Sequence, residues 1–312
     1  MLVGQVLYGS NNIYTVQLGT RRVRCRIKGK ILRTEQRVYN PIAVGDLVEV
    51  RCDALGADEG WIVARRERNS SLARWNKKRR ALQVIAANAD TLVCVGSSQF
   101  PPFRPRFLDR LLVSAEAGNL AALILLNKCD LDLDRETRAR LQAYRKAGYA
   151  VLLCSAKTGE GLGQLAKRLR GKTSIFCGQS GVGKSSILNE LDPAFALKVG
   201  EVSSKHERGT HITSYAILLF AAGGLRLIDT PGIRELEVGG IPARELHFHY
   251  REFRRYAPEC AFDACLHIDE PRCAVQAAVQ AGKIHPDRWE SYLRLYEELA
   301  ALEKDFHGSP YD

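Results

Sequence analysis

Residues 178–185 read Gly178-Gln179-Ser180-Gly181-Val182-Gly183-Lys184-Ser185, a Gly-x-x-x-x-Gly-Lys-Ser run. The apolar Ile175-Phe176-Cys177 precedes it and the helix-forming Ser186-Ile187-Leu188-Asn189 follows, which is the strand, loop and helix setting of a phosphate loop. The glycines let the backbone bend around a polyphosphate with its N–H groups inward, and the next helix aims the positive end of its dipole at the same point. Residues 178–186, ending at Ser186, are therefore predicted to cradle phosphates, with Lys184 reaching the β/γ-phosphates and the Ser185 hydroxyl holding Mg²⁺.

On the C-terminal side of this loop, an apolar segment at 225–228 ends in Asp229-Thr230-Pro231-Gly232. Asp-x-x-Gly after a strand supplies a carboxylate to Mg²⁺ through water and a glycine N–H to a γ-phosphate. On the N-terminal side, the apolar run 121–126 ends in Asn127-Lys128-Cys129-Asp130. The Asp130 carboxylate can accept from guanine's N1–H and exocyclic amine together, a donor pair adenine lacks; Asn127 would tie this loop to the phosphate loop and the Lys128 stem would lie along the base or ribose. A strand at 150–154 leads into Ser155-Ala156-Lys157, whose Ala156 N–H could meet guanine O6. A buried-strand run at 91–95 and helical spacing at 107–119, 135–146 and 161–169 complete a strand-helix alternation that predicts a parallel α/β sheet. The base-reading elements precede the phosphate loop instead of following it.

The 312 residues suffice for two or three domains, and 46% hydrophobic content is that of a globular protein. No apolar stretch approaches the ~20 residues needed to cross a bilayer, and residues 1–5 lack a signal peptide's regions, so a cytoplasmic protein is expected. Six of the nine cysteines are dispersed, as small buried hydrophobes are. A net charge of +11 favours a polyanionic partner such as nucleic acid.

Short alternating segments at 3–8, 14–18, 22–27, 46–52 and 61–65 predict an N-terminal all-β barrel of the OB type over 1–68. Arg22, Arg24, Arg26, Lys28 and Lys30 alternate with Val23, Cys25 and Ile27, which puts the cations on one face with no acid between 21 and 30. That face is expected to contact a phosphate backbone. The basic stretch 65–80, with eight Lys/Arg and one acid, reads as an exposed linker, assigned to 69–80. Residues 81–245 form the nucleotide-binding domain. In 246–312, Cys260, Cys265, His267 and Cys273 follow the spacing Cys-x4-Cys-x-His-x5-Cys, three thiolates and an imidazole for one closed tetrahedral Zn²⁺ site. A terminal helix is predicted over 286–305, making this last domain mostly α. Arg244, Arg251, Arg254, Arg255, Lys283 and Arg288 form a second basic area there.

The barrel, the order of elements 127–130, 155–157, 178–185 and 229–232, and the Cys/His knuckle together resemble the RsgA (YjeQ/YloQ) family of circularly permuted, small-ribosomal-subunit-dependent GTPases. The resemblance implies GTP hydrolysis stimulated by the 30S subunit, a role in its late maturation, contact with 16S rRNA, and Mg²⁺ held with GTP by Ser185 and a switch threonine. Thr213 is favoured for that threonine from its offset after Gly209-Thr210-His211; Ile212 stands where relatives often carry threonine, which keeps Thr210 open. Asp229 and Gly232 form the second switch. Ile233 follows Asp-x-x-Gly where Ras-like enzymes carry the water-orienting glutamine, and isoleucine cannot hydrogen-bond water, so free turnover should be slow. Lys184, Thr213 and His211 are the expected catalytic residues, His211 as the group that positions the attacking water. A monomer is expected. The competing readings are a nucleotide-gated RNA-binding adaptor with incidental hydrolysis, an ATP-dependent kinase or ATPase, and a permuted GTPase acting on the large subunit.

Overall fold

The structure is a computed structural model that describes residues 1–10, 12–28, 38–52, 58–197, 216–230 and 236–307, without the side chains of 305–307. Five strands open the chain: β1 (Leu2–Ser10), β2 (Ile13–Leu18), β3 (Arg21–Ile27), β4 (Leu47–Cys52) and β5 (Glu59–Arg65). They close into a barrel in the order β1-β2-β3-β5-β4, the OB arrangement expected from the alternation. Val6, Val16, Val23, Cys25, Val48, Val50 and Ile62 fill its interior, all at 0% exposure. The buried Asp46 carboxylate seals the exit by accepting from Ala43 N at 2.7 Å and from Arg68 Nε at 2.7 Å.

The stretch read as a linker is a hairpin. Strand β6 (Ser71–Asn76) pairs antiparallel with β7 (Ala81–Ala87). Leu72 is fully buried, and Trp75 N donates to Glu237 O at 2.8 Å. The cations describe the surface of this segment; its two large apolar residues, Leu72 and Trp75, lie among them in the strand.

The central sheet runs β10-β9-β8-β11-β13-β12, where β8 is Thr91–Ser97, β9 Ala121–Asn127, β10 Ala150–Leu153, β11 Thr173–Gly178, β12 Ile217–Ala221 and β13 Leu225–Asp229. All neighbours are parallel except β12 with β13. Its helices are α1 (Pro105–Ala117), α2 (Arg135–Lys146), α3 (Leu162–Leu169) and α4 (Lys184–Leu191). The inner strands are apolar at consecutive positions because both faces are covered. Leu92, Cys94, Ile124, Leu126, Ile175 and Cys177 pack with Leu108, Leu111 and Leu112 of α1 and Leu141 and Tyr144 of α2. The intervening Val93, Val95, Leu123, Leu125 and Phe176 pack with Leu162, Leu165, Ile187 and Leu188 of α3 and α4. Loops after β8, β9, β10, β11 and β13 thus emerge at one edge, where open α/β sheets bind ligands.

The C-terminal part contains α5 (Ala274–Gln280) and α6 (Pro286–His307). Val238, Ile241 and Ala243, on the N-terminal side of the expected boundary after 245, pack in its core with Tyr250, Phe253 and Tyr292, as does Val113 of α1. The two units therefore share a core and not merely a linker.

Candidate functional site

The phosphate loop spans the turn from β11, which ends at Gly178, to α4, which begins at Lys184. Gly183 has φ +93°, and a Cβ there would lie 2.2 Å from Asn127 Nδ2. Glycine is required by that approach as much as by the conformation. The Lys184 ammonium donates to Gly178 O at 2.6 Å and Gln179 O at 3.0 Å. Burial lowers its pKa. Thr230 Oγ1 donates to Phe176 O at 2.6 Å and fixes the end of β13 against β11. Beside it, Asp229 Oδ1 is buried with no hydrogen-bond partner among the described residues, and burial raises the pKa of this carboxyl group. An orphaned carboxylate oxygen there suits a hard cation, and Asp229 interacts with the charge of Lys184, the residue before Ser185 on α4.

Asn127, 2% exposed, joins three loops. Its Nδ2 donates to Val182 O at 2.9 Å, and its Oδ1 accepts from Ala156 N at 3.0 Å. The first bond is the tie expected from sequence. The second differs from expectation: the Ala156 N–H assigned to guanine O6 serves the Asn127 carboxamide, because both strand ends converge on that one buried amide. Asp130 is exposed, and its Oδ1 accepts from Ser155 Oγ at 2.6 Å, which chiefly holds its carboxyl group below the usual carboxylate range. Lys128, at φ +64°, reaches over the phosphate loop and donates to Gly181 O at 3.0 Å and to Phe100 O. Lys157 is exposed beside Asp130. Ser180 and Gly181 are exposed, Gln179 and Ser186 half-buried. His211, Thr213, Gly232, Thr210, Ile212 and Ile233 lie outside the described residues.

Sequence reasoning missed the loop after β8. Ser98 Oγ donates to Lys128 O at 2.7 Å and Ser97 Oγ to Pro101 O at 2.7 Å. The Pro101-Pro102 pair marks a turn, but nothing in the local sequence says which loop the turn will brace.

Cys260, Cys265, His267 and Cys273 meet with all ligand atoms within 4.8 Å of one another. Cys260 and Cys273 sulfurs are 3.9 Å apart, and His267 Nδ1 lies 3.6 Å from Cys260 Sγ and 3.4 Å from Cys273 Sγ. A tetrahedral ion with bonds of about 2.3 Å to sulfur and about 2.0 Å to nitrogen would separate its ligands by similar lengths. Burial takes His267 down to about 4, which keeps the imidazole neutral as ligation requires. The knuckle is locked from α6, where Trp289 Nε1 donates to His267 O at 2.9 Å and Tyr292 to Leu266 O.

On β3, Arg22, Arg24 and Arg26 are exposed, as is Lys28 just beyond it, while Val23 and Cys25 are buried; Lys30 lies outside the described residues. Parallel pairing with β5 sets Glu59 opposite Arg24 and Trp61 opposite Arg26, so the face carries an acid and an aromatic that β3 alone does not show. The second basic area is smaller than expected. Arg288 is buried and paired with Asp109 and Glu252, each at 2.5 Å, while Arg251 and Arg254 hold Glu116 at 2.5 and 2.8 Å. These three arginines join domains and are taken up by carboxylates.

A family model described as RsgA GTPase matches residues 65–239. The small ribosomal subunit biogenesis GTPase RsgA of Chlorobaculum tepidum is 42% identical over 96% of this chain and 98% of its own. Among solved structures, YjeQ from Thermotoga maritima superposes with a TM-score of 0.74 at 32% identity, covering 96% of this chain and 98% of that one. YloQ, a circularly permuted GTPase, gives 0.70 at 31% identity and 96% coverage of both. A sheet in which β9 and β10, which lead to Asn127–Asp130 and Ser155–Lys157, precede the phosphate-loop strand β11 has the permuted order these likenesses call for, and the chain belongs to the RsgA family of GTPases.

Proposed function

We propose that this GTP-hydrolysing enzyme binds the small ribosomal subunit through 16S rRNA and assists its late maturation, with turnover stimulated by the subunit. The Asn127 carboxamide carries the chemistry: by bonding Val182 O and Ala156 N, it makes the guanine-reading loop and the phosphate loop one rigid frame. In that frame Asp130 accepts from guanine N1–H and the exocyclic amine, and residues 178–186 hold the phosphates, with Lys184 released from Gly178 O and Gln179 O to meet the β/γ oxygens. Ser185, Thr213 and, through water, Asp229 would hold Mg²⁺, which would neutralise phosphate charge. Gly232 donates to the γ-phosphate. Ile233 cannot orient water, which leaves that task to His211 once the subunit is engaged. Zinc is the ion that best suits Cys260, Cys265, His267 and Cys273, whose closed set has a structural role.

The exposed cations of β3 flanked by Trp61 suit a phosphate backbone with an unstacked base, and the relatives' names point to the small subunit as its source. No described helix is long and apolar enough to cross a membrane; a cytoplasmic monomer is part of the proposal. Co-sedimentation with purified subunits tests it. Pelleting with small but not large subunits in a non-hydrolysable GTP analogue, with less in GDP, is expected; pelleting with neither, or equally with both, would remove the ribosomal assignment.

A further inference from the structure

Phe100, in the loop after β8, is 77% exposed and has φ +47°, a left-handed conformation that a bulky side chain rarely adopts. The loop is not slack. Ser97 Oγ holds Pro101 O, Ser98 Oγ holds Lys128 O, and Gln99 Nε2 donates to Asp132 O at 2.8 Å. A fixed backbone that displays an apolar ring in a costly conformation is a feature folding alone does not explain.

Its position is informative. Phe100 O accepts from the Lys128 ammonium, which also donates to Gly181 O at 3.0 Å. Pro101 Cδ lies 3.4 Å from where a Cβ on Gly181 would sit, so the loop rests against the phosphate loop. Asp130 and Lys128 belong to one loop. A guanine whose edge meets Asp130 and whose phosphates enter the phosphate loop therefore lies along the Lys128 stem, with its ribose beside the ammonium. Phe100, whose carbonyl holds that same ammonium, carries its exposed ring at this edge of the site.

We propose that Phe100 packs on the ribose and adjoining base edge of the bound guanine nucleotide, an apolar wall completing the site that Lys128 and Asp130 begin. The inference rests on the reading of Asp130 as guanine's partner. Calorimetric titration of the full chain with GDP and ADP, together with GTP turnover, tests it on wild type, Phe100→Ala and Phe100→Trp. Phe100→Ala should weaken GDP roughly tenfold and raise KM for GTP with kcat unchanged, as loss of a base–aromatic contact does; Phe100→Trp should restore affinity. GDP affinity of Phe100→Ala within about twofold of wild type overturns the proposal, and so does that result joined with lost subunit binding, which would assign the ring to the partner. Wild type that binds GDP no better than ADP would instead remove the guanine reading, and this inference with it.

Discussion

At the scale of single residues, specificity comes down to which hydrogen-bonding groups a loop can present without leaving others unpaired. Asp130 presents two acceptor oxygens, and Ser155 Oγ, already bonded to one of them at 2.6 Å, keeps the group ionised and oriented. Replacing it in Asp130→Asn exchanges an acceptor pair for one acceptor and one donor. Guanine then faces a donor with its own amine, while xanthine, with a carbonyl at that position, gains a partner. GTP affinity should fall roughly 100-fold, as charged hydrogen bonds of about 1.5–3 kcal/mol are lost, and XTP should bind better than GTP; competition titration checks both. The role proposed for Asp130 is one that sequence alone suggests, because Asn-Lys-x-Asp states its chemistry in residue types. The service Ala156 N–H gives to Asn127 was not legible, since it depends on two strand ends meeting in space.

Among elements, apolar spacing was a better guide than charge. The alternation in the barrel and the apolar runs at 91–95, 121–126 and 175–177 each report the environment a strand will have, and each lies in a strand. The stretch 65–80 misled because its many cations outweigh Leu72 and Trp75, although those two fix β6 against β7 and the chain at Glu237. The knuckle was legible from Cys and His spacing, yet its support from Trp289 and Tyr292, more than fifteen residues away in sequence, was not. Because three buried or half-buried thiols and an imidazole here form one cluster, metal loss should loosen the knuckle and its packing on α6. Elemental analysis should give about one zinc per chain. A strong chelator should lower the melting temperature by roughly 5 °C or more; an unchanged melt with metal removed would contradict a structural role.

Over the whole molecule, the nucleotide-binding sheet and the C-terminal part are joined by a buried ionic centre. Arg288 of α6, with 5% of its side chain exposed, pairs with Asp109 of α1 and with Glu252, and its guanidinium lies 4.5 Å from the Tyr250 ring centre. Tyr144 of α2 completes the set by donating to Asp109 Oδ1 at 2.7 Å. Arg288→Ala would strand two carboxylates in the interior and should destabilise the protein by about 3–5 kcal/mol, read by denaturant unfolding; the further change Asp109→Asn should recover part of that loss. Sequence placed Arg288 on a basic surface, since nothing local reveals that α6 turns this residue inward onto α1. In the permuted order the chain passes from β13 to this shared core within a few residues, Val238 and Ile241 being part of it.

The central claim is tested most directly by GTP and ATP hydrolysis measured on the purified protein alone, with small subunits and with large subunits. Slow GTP turnover by itself, strong stimulation by the small subunit only, and no stimulated ATP turnover are predicted. Equal rates with and without either subunit, or stimulation that does not distinguish GTP from ATP, would contradict it.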